Sequence, residues 1–226
     1  MDALILDFDG VIIDSEPIHL RAFASVLAPR GIIITREEYY AKYLGFDDHD
    51  CLATVFADRG MPITDDEIRL LTAAKSALVK AAYRQGVPAL PGAYELVASA
   101  ELAGLPIAIC SGGLREEIEL AGQAVGVLEH VMTIISAENV ACGKPDPEGY
   151  RMALETMCQL TGQTLRATHT VVIEDSPAGI EAAKAMRMKV LAVTTSYAAS
   201  ALIMADRVVQ SLADVTVADL KHLTGG

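Results

Sequence analysis

The stretch that decides the fold spans residues 4–11 and reads Leu4-Ile5-Leu6-Asp7-Phe8-Asp9-Gly10-Val11. Its apolar half is typical of a strand buried on both faces, as in a parallel sheet. Asp7 and Asp9 follow at the carboxyl end, where open α/β sheets bind ligands, and alternate side chains of extended chain point to the same side. Two carboxylates about 4 Å apart repel by roughly 4 kcal/mol at an effective dielectric constant of 20, so a cation, a shared proton or a positive neighbour must offset them. A solvated strand end closed by an Asp-Gly turn is the simpler interpretation.

The composition predicts a globular, acidic protein. The chain has 226 residues, of which 52% are hydrophobic, and a net charge of −12. Such a charge opposes binding to nucleic acid or to anionic membranes, so any bound phosphate must be held by local donors. We see no apolar run of the ~18 residues that a membrane span requires and no basic leader before the first strand, so we expect a cytoplasmic protein. The four cysteines lack paired spacing, which favours free thiols, and a monomer is the default expectation.

Residues 15–87 differ in pattern from the rest of the chain. Capping signals begin helices near Thr35 and Thr64, and Ser15 is expected to cap the first helix of the segment. The second signal opens a long helix, for which the spacing predicts one apolar face made of Ile68, Leu71, Ala74, Leu78 and Ala82. No alternation of strands and helices is found in this segment, which therefore predicts an all-helical block.

The run of residues 86–92 contains two prolines and two glycines and marks a linker. Beyond it, strands and helices alternate to the end of the chain, which predicts a doubly wound parallel sheet of the α/β class. The first strand belongs to that sheet. We therefore predict an α/β core made of residues 1–14 and 88–226, with a helical cap of residues 15–87 inserted after the first strand.

Three other strand ends carry polar groups. Ser111-Gly112-Gly113 opens a helix, and its hydroxyl, free amides and helix N-terminus are suited to an anion. Lys144 lies between Gly143 and Pro145, on a stiff loop just before a helix. Glu174-Asp175-Ser176 ends a further buried strand. Each also has an ordinary explanation, as a helix start, a solvated charge and a helix cap with first-turn acids.

Taken together, these strand ends form a chemically consistent set. The carboxylates would make an oxygen-rich pocket suited to Mg²⁺, and the remaining groups would bind the oxygens of a phosphoryl group. One aspartate could then attack phosphorus, while the other protonates the leaving oxygen and later activates water. The carboxylates are Asp7, Asp9, Glu174 and Asp175, and the phosphate-binding candidates are Ser111, Gly112 and Lys144.

With these motifs in this order, the chain resembles the haloacid dehalogenase-like hydrolase superfamily over nearly its whole length. The branch that it resembles contains β-phosphoglucomutase, phosphoglycolate phosphatase and sugar-phosphate phosphatases with a helical cap. The resemblance implies that Asp7 is the nucleophile, forming an aspartyl-phosphate, and that Asp9 is the general acid and base, with its backbone carbonyl on the metal. It implies Asp175 as a direct Mg²⁺ ligand and Glu174 as a ligand or as a partner behind the ligands. The cap would close over the site, with hinges near residues 11–16 and 86–91.

Several further residues are candidates for contact with the substrate. His19 matches the position of a cap-side histidine of the mutase, and Gly45 and Asp48 lie where the mutase has its specificity loop. The mutase has an arginine for a second phosphate where this chain has Asp48, which favours a phosphatase. Lys75 on the long cap helix and Arg115 after Ser111-Gly112-Gly113 could add positive charge. Each could equally be an ordinary core or surface residue.

Three functions remain open from the sequence. The first is a Mg²⁺-dependent phosphatase that acts on a small phosphorylated metabolite, of the sugar phosphate or phosphoglycolate type. The second is a phosphosugar mutase that returns the phosphoryl group to the sugar. The third is a non-catalytic phospho-acceptor of the receiver type, against which the second aspartate and the cap both argue.

Overall fold

The structure is a computed structural model that describes residues 1–225. The chain divides into two compact units, a sheet unit and a helical unit. The sheet unit comprises Met1–Asp14 and the chain from Val87 onward, and the helical unit is Ser15–Gly86. The second boundary lies one residue before the position predicted from the linker composition.

The strands and helices of the described chain follow the order predicted from the sequence. The strands are β1 (Ala3–Leu6), β2 (Ile107–Cys110), β3 (Thr133–Ile135), β4 (Thr170–Glu174), β5 (Lys189–Val193) and β6 (Arg207–Val209). The helices are α1 (Glu16–Leu27), α2 (Arg36–Lys42), α3 (Asp48–Asp58), α4 (Asp65–Gln85), α5 (Ala93–Leu102), α6 (Arg115–Ala124), α7 (Glu148–Thr161), α8 (Pro177–Ala185) and α9 (Val217–Leu223). None of the helices within residues 1–225 is both long enough and apolar enough to span a bilayer.

The described part of the sheet unit holds one six-stranded parallel sheet in the order β3-β2-β1-β4-β5-β6. This arrangement confirms the predicted α/β fold. Every residue of β1 is buried, because the strand lies between β2 and β4, with Leu6 in register with Ile109 and Ile173. The carboxyl ends of these three strands therefore lie level, which brings the polar residues that follow them to one edge of the sheet.

A tight turn follows β1 and leads toward the helical insertion. The carbonyl of Phe8 accepts hydrogen bonds from the amides of Val11, Ile12 and Ile13 at 3.4, 2.8 and 3.3 Å. The segment before the insertion then pairs with the linker of residues 86–92 that follows the insertion, since the amide of Leu90 donates to the carbonyl of Ile12 at 2.9 Å. The two chain segments that lead to and from the insertion are thus hydrogen-bonded together. Closure of the cap over the site stays a prediction.

In the helical unit, α4 packs against α1 and α3, but not by the apolar face that its spacing predicts. Of the predicted face only Ile68 is buried, while Ala74 is exposed and Leu78 is 43% exposed. The buried side chains of α4 are Ile68, Lys75, Ser76, Val79 and Tyr83. The prediction was wrong because two polar residues, Lys75 and Ser76, lie on the buried side of α4, where polar contacts to residues of α1 and α3 hold the ammonium of Lys75.

The cap predicted for α1 also differs from the structure. Ser15 is the residue before the helix, but its side chain makes no capping hydrogen bond, and its hydroxyl oxygen is buried without a partner among the described residues. Thr64 forms the full capping box predicted for α4, with Glu67 bonding back to the amide of Thr64. The box predicted at Thr35 is half formed, because Glu38 is drawn to Arg59 at 2.7 Å instead.

Candidate active site

The edge of the sheet at the carboxyl ends of β1, β2 and β4 collects the polar residues that follow those strands. The amide of Asp7 donates to the carbonyl of Ile173 at 2.9 Å, and the amide of Ser111 donates to that of Ile135 at 2.9 Å. These backbone bonds extend the pairing of the strands by one residue beyond β1 and β2. Asp7 and Ser111 are therefore placed by the sheet itself and not by a mobile loop.

Lys144 connects two of the acidic residues. Its Nζ atom lies 2.8 Å from Oδ1 of Asp7 and 2.6 Å from Oε1 of Glu174. The lysine side chain is 17% exposed, and the carboxylate of Glu174 is fully buried. The ammonium also lies 5.3 Å from the centroid of the Tyr150 ring. A partly buried lysine with two carboxylate partners stays charged, and these partners raise the pKa of Lys144 well above its ordinary value.

Both carboxylate oxygens of Glu174 are occupied by donors. Oε1 accepts from Lys144 and, at 2.8 Å, from the hydroxyl of Tyr150. Oε2 accepts at 2.9 Å from the amide of Asp175 and from both the amide and the hydroxyl of Ser176. Burial alone would raise the pKa of Glu174, but the charge of Lys144, together with hydrogen bonds from Lys144, Ser176 and Tyr150, lowers it below its ordinary value. Because both of its oxygens are occupied, Glu174 is better suited to hold Lys144 and the turn after β4 than to be a direct metal ligand.

Asp175 faces the turn that follows β1. Its Oδ2 atom accepts a short hydrogen bond from the hydroxyl of Ser196. A Cβ atom at Gly10 would lie 1.8 Å from the same oxygen, and Gly10 has a φ of +74°. Position 10 therefore requires glycine for two reasons, its left-handed backbone and the approach of Asp175. The Asp-Gly turn is part of the site.

Asp9 lies beside the loop that follows β2. Its Oδ2 atom is 3.4 Å from the hydroxyl of Ser111, which in turn accepts a hydrogen bond from the amide of Gly113 at 3.0 Å. Asp9 is half-buried, whereas Asp7 is buried. Gly112 is exposed and has open space around its Cα. The structure thus brings the predicted phosphate-binding loop to the second aspartate, while Lys144 lies against the first.

Burial dominates the electrostatics of the acidic residues. It raises the pKa of Asp7 to about 7, against the opposing effect of Lys144, and the neighbouring Glu174 raises it further. Burial and the same neighbour raise the pKa of Asp175 well above its ordinary value. Three carboxylates against one ammonium leave an excess of negative charge that a further cation would relieve.

Three buried carboxylates at this edge match the ligand preferences of Mg²⁺. Asp7, Glu174 and Asp175 are all buried, and each offers a carboxylate oxygen such that the three oxygens lie within 4.8 Å of one another. Anionic oxygen donors in a buried pocket are the ligands that a hard divalent cation prefers, so the residues fit. Because the oxygens of Glu174 are occupied by hydrogen-bond donors, Asp7 and Asp175 are the better placed of the three to hold the ion.

A protein-family model provides the decisive observation about identity. The model of haloacid dehalogenase-like hydrolases matches residues 1–187, and this range includes all four motifs at the sheet edge. The chain belongs to the haloacid dehalogenase-like hydrolases. The resemblance predicted from the motifs is confirmed, and so is the expectation of a hydrolase of phosphoric monoesters, since named phosphatases are among the relatives.

Individual members of the superfamily are similar over nearly their full lengths. Hexitol phosphatase A of Escherichia coli is 30% identical over 213 residues, which is 94% of this chain and 92% of that protein. Validoxylamine A 7′-phosphate phosphatase of Streptomyces hygroscopicus is 29% identical over 215 residues, covering 93% and 94%. Among solved structures, CbbY of Rhodobacter sphaeroides in complex with xylulose-(1,5)bisphosphate has a TM-score of 0.86 and 25% identity, covering 97% and 99%.

Three of the candidate cap residues of this haloacid dehalogenase-like hydrolase meet inside the helical unit. Lys75 Nζ lies 2.5 Å from Nδ1 of His19 and 2.7 Å from Oδ1 of Asp48, and only 1% of the lysine side chain is exposed. The other imidazole nitrogen of His19 lies 3.2 Å from the hydroxyl of Tyr83. Burial and the charge of Lys75 hold the pKa of His19 well below its usual range, so a neutral ring accepts from the lysine. Asp48 is therefore neutralised by Lys75 within the unit.

The remaining two candidates are placed differently. Gly45 lies in the exposed loop before α3, with a φ of +84°. The guanidinium of Arg115 bonds the carbonyl of Ile134 at 2.6 Å and Glu119 at 3.2 Å. These bonds hold Arg115 against the end of β3 and favour the interpretation of a structural, helix-surface arginine over that of a substrate contact.

Two residues of the site were missed in the sequence. Tyr150 is a buried residue of α7 that contacts Glu174, and its position in an amphipathic helix is typical of an ordinary core residue. Ser196 follows β5 and bonds Asp175, but it belongs to no motif. The only available signal was positional, since Ser196 also lies just after a strand of the parallel sheet.

Proposed function

We propose that this chain is a Mg²⁺-dependent phosphatase. It hydrolyses the phosphate monoester of a small metabolite, of the sugar phosphate or phosphoglycolate type, through an aspartyl-phosphate on Asp7. The observation that carries the proposal is the buried carboxylate of Asp7 held 2.8 Å from Lys144, at the edge that also holds Asp9 and Asp175. A positive charge beside a buried carboxylate lets that carboxylate approach an anionic phosphoryl group.

In the first half of the reaction, the carboxylate of Asp7 attacks phosphorus and the bond from phosphorus to the ester oxygen breaks. Asp9 gives its proton to the departing oxygen, so the product leaves as an alcohol. Lys144, the hydroxyl of Ser111 and the amide of Gly112 bind the non-bridging oxygens, while the amides of Ser111 and Gly113 are held by the carbonyl of Ile135 and the hydroxyl of Ser111. When bound, Mg²⁺ supplies positive charge that offsets the repulsion between Asp7 and the phosphoryl group.

In the second half, Asp9 is ionised and takes a proton from a water molecule. That water attacks phosphorus, the bond from phosphorus to Asp7 breaks, and inorganic phosphate is released. Asp9 is protonated again and Asp7 is a free carboxylate again. The half-buried position of Asp9 beside the Ser111 hydroxyl suits a group that must exchange protons with both substrate and water.

The relatives support the class of substrate. Two phosphatases that are 29–30% identical over more than nine-tenths of this chain carry names that refer to hexitols and to validoxylamine A 7′-phosphate. Both names denote polyhydroxylated compounds. We therefore place sugar and polyol monophosphates first among the substrates to be tested, with phosphoglycolate next.

The test is release of inorganic phosphate from a panel of monophosphates, with Mg²⁺ and with a chelator. The panel contains hexitol and hexose phosphates, phosphoglycolate and nucleotides, and the enzymes are the wild type, Asp7→Asn and the control Asp214→Asn, whose side chain is exposed. We expect Mg²⁺-dependent release by the wild type and the control and none by Asp7→Asn. Isomerisation of a hexose phosphate that requires a bisphosphate would overturn the proposal in favour of a mutase. A stable phosphoprotein without release would overturn it in favour of a phospho-acceptor.

A further inference from the structure

Tyr150 contacts both members of the ion pair between Lys144 and Glu174. It is fully buried and is the third residue of α7, which begins at Glu148. Its hydroxyl donates to Oε1 of Glu174 at 2.8 Å, and its ring lies 5.3 Å from the ammonium of Lys144. The hydroxyl is the donor in this bond, because an ionised carboxylate can only accept.

Lys144 is shared between two carboxylates that compete for it. An ammonium has three N–H donors, and in this structure one is directed to Asp7 and one to Glu174, at 2.8 and 2.6 Å. The shorter bond is the one to Glu174. A neutral hydroxyl that donates to the same oxygen of Glu174 takes up part of its negative charge and so weakens its attraction for the lysine.

We propose that Tyr150 is a positioning residue which, through Glu174, keeps the ammonium of Lys144 available to Asp7 and to the phosphoryl group. The inference rests on the proposed phosphatase function. Without the hydroxyl, Glu174 would draw Lys144 away from Asp7 and phosphate would be held less firmly. The aromatic ring would still lie beside the ammonium, so the loss of the hydroxyl is the change that matters.

The alternative is that Tyr150 only fills the core. It belongs to an apolar cluster with residues such as Ala153, Met157 and Val172, and a large ring there contributes to packing. Tyr150→Phe keeps the ring and removes one oxygen atom, so it separates the two roles. If Tyr150 only fills the core, Tyr150→Phe should lower the stability of the protein without a specific loss of phosphate affinity. Any change in phosphate affinity would then be the same whether or not Lys144 is present.

The test measures binding of inorganic phosphate by calorimetry, with Mg²⁺ present, to four proteins: the wild type, Tyr150→Phe, Lys144→Ala and the double variant. We expect Tyr150→Phe to weaken phosphate binding by about five- to twentyfold, which is less than the loss of a direct hydrogen bond to a charged group, because the tyrosine acts on phosphate only through Glu174 and Lys144. Adding Tyr150→Phe to Lys144→Ala should cause little further loss, because the lysine through which the tyrosine acts is gone. An equal loss in both backgrounds would overturn the proposal.

The matched control is Tyr43→Phe. Tyr43 is another buried tyrosine, and its hydroxyl donates to Oδ2 of Asp58 at 2.9 Å in the helical unit. This variant should bind phosphate as the wild type does, and thermal melts show that each variant is folded. Should Tyr150→Phe fail to fold, 3-fluorotyrosine and 2,3-difluorotyrosine at position 150 keep the hydroxyl and the ring, and they strengthen the donated bond by making the hydroxyl more acidic. Phosphate binding should then strengthen with fluorination, and an affinity that does not change would overturn the proposal.

The two proposals can fail separately. A wild-type protein that neither binds phosphate nor releases it from any monophosphate would overturn the proposed function. A wild type that does both, with Tyr150→Phe indistinguishable from it, would overturn only the positioning role.

Discussion

Gly179 lies so close to Glu174 that a Cβ atom at position 179 would stand 1.7 Å from Oε1 of the glutamate. The glycine is in the first turn of α8, and the glutamate ends β4. The buried carboxylate that holds Lys144 therefore occupies the space that a side chain at position 179 would need. Its place in the site therefore depends on the absence of a side chain at position 179.

We predict that Gly179→Ala destabilises the protein. In most helices this change stabilises by about 0.5–1 kcal/mol, because alanine restricts the unfolded chain. Here overpacking against a fixed carboxylate should reverse the sign and lower the free energy of unfolding by about 1–3 kcal/mol. Denaturant unfolding is the measurement, with Glu181→Ala on the exposed side of the same helix as control. An increase in stability would show that Glu174 can move aside freely.

We predict that Asp7→Asn abolishes turnover but stabilises the metal-free protein at neutral pH. The pKa of Asp7 is about 7 in the folded protein and 3.8 for the ordinary carboxyl, so the unfolded chain loses this proton first as pH rises. The contribution of Asp7 to stability is therefore full below about pH 4, is lost between pH 4 and 7, and remains lost above. An asparagine at position 7 does not ionise, so the variant does not lose stability as the pH rises. Lys144 still has Glu174 as its partner.

The expected gain is up to about 4 kcal/mol at pH 8 and close to zero at pH 4. Chemical unfolding in a chelator at both pH values measures it. The exposed Asp214→Asn serves as control and should show no such dependence. A variant that is less stable than the wild type at pH 8 would contradict the assignment of a strained, buried carboxylate.

We predict that Mg²⁺ raises the thermal stability of the wild type and that Asp175→Asn removes most of this effect. Binding to the folded state alone stabilises by about 2.7 kcal/mol at a hundredfold excess over the dissociation constant. The control is Asp50→Asn, because Asp47, His49 and Asp50 form an exposed group that could also hold a cation. Thermal melts with and without Mg²⁺ distinguish the two groups. A shift that is lost in Asp50→Asn and kept in Asp175→Asn would move the metal site to the helical unit.

We predict that the effect of Asp9→Asn depends on the leaving group. An alkyl phosphate needs a proton on its departing oxygen, so its turnover should fall by about 10²–10⁴-fold. p-Nitrophenolate leaves without a proton, so the first half-reaction should survive while the second, which needs a base, is slow. Rapid mixing should show one equivalent of nitrophenolate released in a burst. The absence of a burst, with equal losses for both substrates, would assign Asp9 another role.

We predict that Asp48→Ala destabilises the protein by about 1–3 kcal/mol, since it leaves the buried ammonium of Lys75 with a neutral imidazole as its remaining partner. Adding Lys75→Met should recover part of the loss, because it removes the unpaired charge. Asp50→Ala, in the same turn of α3 but exposed, is the control. Equal losses for the two alanine variants would mean that the pair with Lys75 contributes nothing specific.

Much of the fold was predictable because the buried strands carry strong local signals. β1 is apolar on both faces, and the residues that begin the next helices, such as Ser176 and Thr64, form their capping bonds as predicted. The alternation of these strands and helices along the chain predicts the parallel sheet, and the helical block after the first strand predicts the insertion. The face of α4 was missed because burial of Lys75 depends on His19 and Asp48, which are distant in the chain, and no local pattern encodes such a pair.

In the site, too, some features follow from the sequence and others depend on contacts between residues that are distant in the chain. Asp7, Ser111 and Glu174 could be placed together because parallel strands end at one edge, whatever their distance in sequence. The choice between the two roles left open for Glu174 needed the actual donors around its oxygens, which come from Lys144, Tyr150 and Ser176. Tyr150 and Ser196 act through contacts that only the folded chain creates.

The position of β1 in the middle of the sheet has a consequence for the order in which a nascent chain can fold. β1 leaves the ribosome first, but Leu4 cannot pair until Ile107 and then Val171 have been made. The helical unit between them closes through contacts among neighbouring helices and is complete by residue 86. We expect the helical unit to form while β1 still lacks β4 as a partner, so that chains stalled before residue 170 resist protease in the insertion but not around Asp7.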